Sequence, residues 1–114
     1  MAHRVLKLAE QHRLTIVEDE IFADFEDSPA PRLAAFDGLD RVIQIGSFFR
    51  TLSAASRCGF VAARPEWIEG LTDLKIATTF GGGRLNAELA LNVLSDSSYR
   101  KHLEGLRSKL ARAR

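Results

Sequence analysis

Three short runs of mostly apolar residues constrain the fold of this 114-residue chain more than any other feature. They lie near residues 14–18, 42–47 and 58–63, and an arginine precedes each of them. The first run is almost wholly apolar and rich in β-branched residues, which is typical of strands covered on both faces of a parallel sheet. All three runs predict strands. Amphipathic stretches precede and follow these runs, so the sequence indicates an α/β fold with flanking helices.

The second half of the chain is predicted to be rich in helix. Pro65 opens one helix at a favourable first-turn position. Two more helices are predicted near residues 85–94 and 98–113, and the serine-rich stretch 95–98 supplies capping oxygens between them. We therefore expect one domain, residues 1–114, with a partial sheet of about three strands.

Composition and charge argue against several classes of function. A formal net charge of +1 gives no electrostatic footprint for nucleic acid or an acidic membrane surface. No apolar stretch approaches the ~20 residues that a membrane span needs. Cys58 is the single cysteine, which excludes an internal disulfide and favours a reducing compartment. The three histidines lack the spacing of metal ligands. We expect a cytoplasmic protein that binds neither membranes nor nucleic acid directly, and no metal site.

The most informative motif follows the second predicted strand. Residues 45–53 read Ile-Gly-Ser-Phe-Phe-Arg-Thr-Leu-Ser, and Arg57 and Gly59 come shortly afterwards. This motif resembles the segment that carries the cofactor-binding lysine in pyridoxal-phosphate (PLP) enzymes of the aminotransferase class. There the pattern is roughly Gly-Ser-Phe-Ser-Lys-Thr-Leu, and an arginine and a glycine follow. In this sequence Arg50 occupies the position of the lysine.

A second segment matches the same family in the expected order. Residues 17–25 look like the family's Glu-Asp-Asp-x-Tyr stretch, which follows a strand. The resemblance implies that Asp19 pairs with the protonated pyridine nitrogen of PLP, a charge that favours electron withdrawal by the ring. Phe22 stands where the family has a tyrosine that donates to the phenolic oxygen of the cofactor. Its ring is retained, but the hydroxyl donor is missing.

The resemblance implies that two further residues bind the cofactor phosphate. Ser47 matches the first serine of the lysine motif, and Arg57 matches the arginine whose planar guanidinium forks onto the phosphate. Phe49 holds the place of a second hydroxyl and can donate nothing. The implied cofactor-binding residues are therefore Asp19, Phe22, Ser47 and Arg57.

Arg50 changes the chemistry that this motif can perform. A covalent anchor for PLP requires a neutral amine with a free lone pair, which a lysine supplies. A guanidinium stays cationic and delocalises its lone pairs, so it is a poor nucleophile and a poor carrier of the substrate proton. The sequence thus predicts no catalytic residue and no ordinary transaminase activity.

Two other stretches point to a narrower part of the family. Residues 33–43 and 98–103 resemble the aminotransferase-like portion of GntR/MocR-type regulators, which join that portion to a DNA-binding winged helix. The resemblance spans nearly all of this chain but only part of a complete catalytic chain. It implies a truncated domain whose strands correspond to late strands of a seven-stranded, mostly parallel sheet, the third running antiparallel.

Such a partial sheet has consequences for association. The neighbouring strands of the parent sheet have no counterpart in this sequence, which predicts two unpaired, apolar strand edges. Unpaired edges promote strand addition or association. We therefore expect a homo-oligomer, or helices of the second half that cover the exposed strands.

Three hypotheses follow for function. The first is a degenerate, truncated PLP-dependent aminotransferase-like domain that lacks the Schiff-base lysine and transaminase activity. The second is a module of a GntR/MocR-like regulator that binds PLP, a phosphate or another protein noncovalently through Asp19, Ser47 and Arg57. The third is a subunit that completes an enzyme with a separate partner, and Arg50 weighs against it.

Overall fold

The computed structural model describes residues 1–26, 28–48, 50–52, 57–81 and 83–113. Helices and strands alternate through the first half, and helices fill the second, so the predicted α/β class is confirmed. The elements in chain order are α1 (Ala2–Gln11), β1 (Ile16–Asp19), a 3₁₀ helix (Ala23–Phe25), α2 (Leu33–Asp37), β2 (Val42–Ser47), β3 (Gly59–Ala62), α3 (Pro65–Thr79), α4 (Arg84–Ser95) and α5 (Ser98–Ala113). All three strands and the last three helices lie where the sequence predicted them.

The contacts of the chain divide it into two compact units. The first unit, called unit 1, comprises Met1–Glu20, Ala30–Gly46 and Phe60–Gly81. The second, called unit 2, comprises Ile21–Pro29, Ser47–Gly59 and Gly82–Arg114. Unit 1 contains most of the sheet with α1, α2 and α3, whereas unit 2 contains the 3₁₀ helix, α4 and α5. The organisation of residues 1–114 as a single domain stays a prediction.

The three strands form one sheet in the order β1-β2-β3. Strands β1 and β2 run parallel, with Ile16 opposite Val42 and Asp19 opposite Ile45. The ladder continues by one residue because the backbone N–H of Glu20 donates to the carbonyl of Ile45 at 2.9 Å. The carboxyl ends of the two strands therefore lie at the same edge, where ligands of α/β proteins usually bind. The antiparallel direction of β3 stays a prediction.

Helix α2, which the sequence pattern did not predict, has a start that depends on a residue of β1. The carboxylate of Glu18 accepts the backbone N–H of Leu33 at 2.7 Å and that of Ala34 at 3.0 Å. These two N–H groups belong to the first turn of α2, where the helix itself offers no acceptor. A carboxylate at a helix N-terminus also interacts favourably with the helix dipole. Glu18 thus connects β1 to α2 within unit 1.

A tight turn carries the chain from α2 into β2. Gly38 ends the helix in the left-handed region, with φ of 66°, a conformation that glycine adopts without steric cost. The carboxylate Oδ2 of Asp37 accepts the N–H of Arg41 at 2.6 Å and that of Val42 at 2.9 Å. This turn is therefore closed by the side chain of its own aspartate.

The interior of unit 1 is built from small residues and one valine. Val42 on β2 is 0% exposed, and Ala9 of α1 and Ala34 of α2 are also buried. Gly46, farther along β2, is buried as well, and a Cβ at this position would lie 2.4 Å from the ring of Phe60. Glycine is needed there because β3 places an aromatic ring directly against the backbone.

The sheet is covered less than its sequence predicts. Burial alternates along β1, and Val17 remains 60% exposed. On β3, Phe60 and Val61 are 42% and 46% exposed. The expectation that the apolar run of β1 is covered on both faces is therefore wrong. Strand β1 therefore has one exposed face, and three of the four residues of β3 are exposed.

Unit 2 is organised by its two long helices. Helix α4 contacts α5, and α5 also contacts the 3₁₀ helix. Ala90 of α4 is buried, whereas Leu85 remains 68% exposed. The predicted capping between α4 and α5 is confirmed, because the Asp96 carboxylate accepts the N–H of Ser98 at 3.0 Å. Over the stretches of chain that the structure describes, no helix has both the length and the apolar character for crossing a membrane.

Candidate functional site

Asp19 ends strand β1, in unit 1, and its side chain lies on the exposed side of the strand. Its two acidic neighbours serve the packing of the unit. Glu18 caps α2, and Glu20 forms an ion pair with Arg32, at 2.6 Å between Oε1 and Nε. That pair is largely shielded, because the Glu20 side chain is only 11% exposed. Of the three acidic residues, Asp19 is the exposed one.

Ser47 and Arg57 lie on neighbouring segments of unit 2. The carbonyl of Cys58 accepts the backbone N–H of Phe48 at 3.0 Å and the hydroxyl of Ser47 at 3.5 Å. This shared acceptor ties the segment that follows β2 to the segment that precedes β3. Arg57 comes directly before Cys58 and is exposed. The two residues assigned to the phosphate thus belong to segments held together by backbone contacts.

Arg50 and Phe22, the lysine and tyrosine positions of the family pattern, contact each other in unit 2. The Cζ atom of Arg50 lies 5.2 Å from the centroid of the Phe22 ring. That distance is within the ~6 Å range of a cation–π interaction. Both side chains are exposed, Phe22 to 60%. The motif residues Phe49 and 53–56 lie outside the described residues.

Helix α5 contacts the backbone of both loops that carry this pair. His102 donates from Nε2 to the carbonyl of Thr51 at 3.0 Å, and Arg107 donates from Nε to the carbonyl of Asp24. Thr51 is 1% exposed, and its hydroxyl finds no hydrogen-bond partner within the described parts of the chain. The sequence assigned His102 no role, because the three histidines lack the spacing of metal ligands. The sequence offered no signal for either contact, because the partners are 51 and 83 residues apart.

Four of the five residues singled out in the sequence belong to one of the two units. Phe22, Ser47, Arg50 and Arg57 belong to unit 2, whereas Asp19 belongs to unit 1. Glu18, Thr51 and the two α5 residues were missed, since their partners are distant in sequence. In the regions that the structure describes, no three His, Cys, Asp or Glu side chains come close enough to hold a metal ion.

The family model for aminotransferase class I and II matches residues 2–114. The chain therefore belongs to the aminotransferase class I and II family. It is also similar to proteins named as regulators: it is 36% identical over 104 residues to the HTH-type transcriptional regulator NorG of Staphylococcus aureus, covering 90% of this chain and 24% of NorG. It is 32% identical over 112 residues to the uncharacterized HTH-type transcriptional regulator YisV of Bacillus subtilis, covering 96% of this chain and 23% of YisV.

Solved aminotransferases share the fold. LysN, the alpha-aminoadipate aminotransferase from Thermus thermophilus, matches 94% of this chain and 28% of its own with a TM-score of 0.83 and 28% identity. LysN was solved complexed with N-(5'-phosphopyridoxyl)-L-leucine. The aromatic aminotransferase from Pyrococcus horikoshii matches 97% of this chain and 31% of its own with a TM-score of 0.89, and at 24% identity it supports the fold alone.

These similarities confirm the resemblance inferred from the two motifs, both to aminotransferases and to regulators that contain an aminotransferase-like portion. The chain spans about a quarter of the length of the regulators that it matches. The activity of a whole regulator or enzyme therefore does not follow for this chain from the similarity alone.

Proposed function

We propose that this chain is an aminotransferase-like domain without transaminase activity. The contact between the Arg50 guanidinium and the Phe22 ring, at 5.2 Å, carries this proposal. In the family pattern these two positions hold an amine and a phenol. A guanidinium offers no neutral nitrogen nucleophile, and a phenyl ring offers no hydroxyl donor. Arg50 and Phe22 are compatible with each other in these positions, because the Arg50 guanidinium lies over the face of the Phe22 ring.

The residues present do not fit the covalently anchored cofactor of the family. Arg50 cannot form the carbon–nitrogen double bond, and it cannot accept and return a proton as a lysine amine does. The donors suited to a phosphate are retained, however, as the Ser47 hydroxyl and the Arg57 guanidinium. No catalytic step through PLP is therefore assigned to this chain.

Covalent capture of PLP is expected to fail. After incubation of the full chain with equimolar PLP and reduction with borohydride, no peptide that covers residues 45–53 should carry the reduced cofactor, because no residue of the motif supplies the amine. The surface lysines and the N-terminal amine should react only in small, scattered amounts. Arg50→Lys restores the amine but leaves Phe22 and Phe49 in place, so we expect little recovery of capture. Mass spectrometry of the intact chain and of its peptides reads both results. A reduced cofactor attached at one defined position of the unmodified chain would contradict the proposal.

A second candidate function is noncovalent binding by a regulator-derived module. It is favoured by the Ser47 and Arg57 segments, which the Cys58 carbonyl ties together, and by the similarity to NorG and YisV. The single cysteine supports a cytoplasmic location. The visible spectrum of PLP separates the candidates before reduction. A shift that Arg57→Gln abolishes, without covalent capture, favours this second function, whereas an unchanged spectrum favours an inert domain.

We also propose that the chain associates with copies of itself through its strand edges. In the described part of the chain β1 and β3 are the outer strands, and they carry the exposed valines Val17 and Val61. Edges of this kind readily pair with another strand. Light scattering coupled to size exclusion is expected to give a multiple of the 12.6 kDa chain mass. The mass of one chain across the accessible concentration range would rule this out.

A further inference from the structure

We infer that helix α5 positions the Arg50–Phe22 pair, and that His102 and Arg107 are the positioning residues. His102 holds the first loop, because its Nε2 lies 3.0 Å from the carbonyl of Thr51, the residue next to Arg50. This hydrogen bond is partly buried, so water competes with it less than at an open surface. The backbone beside Arg50 is thereby fixed to α5.

Thr51 itself does not explain the position of this loop. Its hydroxyl is buried without a hydrogen-bond partner in the described segments, so the side chain contributes packing and no polar anchor. The polar anchor is its carbonyl, which His102 satisfies. A buried carbonyl left without a donor is costly, so the loop keeps its place only while α5 supplies one.

Arg107 holds the second loop from the same helix. Its Nε donates to the carbonyl of Asp24, in the 3₁₀ helix that follows Phe22. A hydrogen bond from a charged donor is stronger than one between neutral groups. Helix α5 also packs against this 3₁₀ helix, so the polar bond and the packing act at one place.

His102 and Arg107 of α5 therefore hold the backbone close to each member of the stacked pair. The Arg50–Phe22 contact depends on both loops, because displacement of either backbone changes the 5.2 Å separation. This inference is independent of whether the domain binds any cofactor, since it concerns only the geometry of the pair. It also gives α5 a role that its sequence did not predict.

Residue-resolved amide exchange on the full chain tests the inference. The Leu52 amide, which donates to the Phe48 carbonyl, reports the first loop, and the Phe25 amide, which donates to the Phe22 carbonyl, reports the second. His102→Ala should speed exchange at Leu52, and Arg107→Ala should speed it at Phe25, each by roughly 3- to 10-fold, the loss of one net hydrogen bond.

The controls separate positioning from general stability. The Ile16 amide, bonded to the Arg41 carbonyl in unit 1, should exchange at an unchanged rate in both variants. His102→Gln keeps a side-chain N–H at the reach of Nε2 and should restore most of the protection at Leu52. Lys101→Ala, an exposed neighbour on α5, should change neither loop.

The stacked pair provides a second readout that a merely structural role would not move. Phe22→Leu defines the ring-current shift that the phenyl ring imposes on the Arg50 side-chain protons. Each alanine variant should reduce this shift by more than half, and His102→Gln should retain it. The inference is overturned if the shift persists in both alanine variants, if exchange rises equally at Ile16, or if glutamine fails to restore protection.

Discussion

Replacing Glu18 with glutamine is expected to lower the free energy of unfolding of unit 1 by about 1–3 kcal/mol. Both carboxylate oxygens of Glu18 accept backbone N–H groups at the start of α2. Glutamine keeps one acceptor and turns its NH₂ group toward the second N–H, which is then left without a partner in a partly buried place. The loss of negative charge also removes the favourable interaction with the helix dipole.

Urea unfolding followed by the fluorescence of Trp67 measures this change. Trp67 is the only tryptophan of the chain and lies half-buried in unit 1. Glu69→Gln is the matched control, because Glu69 is exposed on α3 and its replacement should change stability by less than ~0.5 kcal/mol. Equal midpoints for the two variants would mean that the Glu18 carboxylate does not stabilise α2.

Val42→Ala is expected to destabilise unit 1 by about 2 kcal/mol, the transfer free energy of two buried methyl groups plus a cavity term. Val42 is fully buried on the central strand, so no side chain can move in from solvent to fill the space. The denaturation midpoint, read again from Trp67 fluorescence, should fall while the slope of the transition stays constant.

Two other valines provide controls on the outer strands. Val17 on β1 and Val61 on β3 are 60% and 46% exposed, so Val17→Ala and Val61→Ala should each cost less than about 1 kcal/mol at low protein concentration. If a second copy of the chain covers these edges, the loss of stability caused by Val17→Ala and Val61→Ala should grow with protein concentration, because association stabilises the folded state. If Val42→Ala lowers the free energy of unfolding no more than Val17→Ala and Val61→Ala do, Val42 does not belong to the core of unit 1.

The strands and long helices were predictable because their signals are local. An apolar run rich in β-branched residues, such as residues 14–18, is enriched in strands, and Pro65 favours the first turn of a helix. Helix α2 was missed because it has only five residues and depends on Glu18, which lies 15 residues before its first N–H donor. A helix that short has little stability of its own without such a partner.

The candidate site was also predictable from the sequence only in part. Its residues could be named from the order and spacing of two motifs, and the family that those motifs implied is confirmed. What those motifs could not indicate is the stacking of Arg50 on Phe22 or the two hydrogen bonds from α5. Side-chain contacts between distant segments depend on how loops close, and loop closure leaves no periodic pattern in a sequence.

The amino-acid sequence by itself determined the α/β class, the places of the strands and the presence of a guanidinium at position 50. These properties follow from residue chemistry and from neighbours a few positions away. Only the tertiary structure decided that Glu18 rather than Asp19 caps α2, that the outer strands keep an exposed face, and that α5 holds both loops of the site. Each of these depends on burial and on donors and acceptors that meet only after the chain has folded.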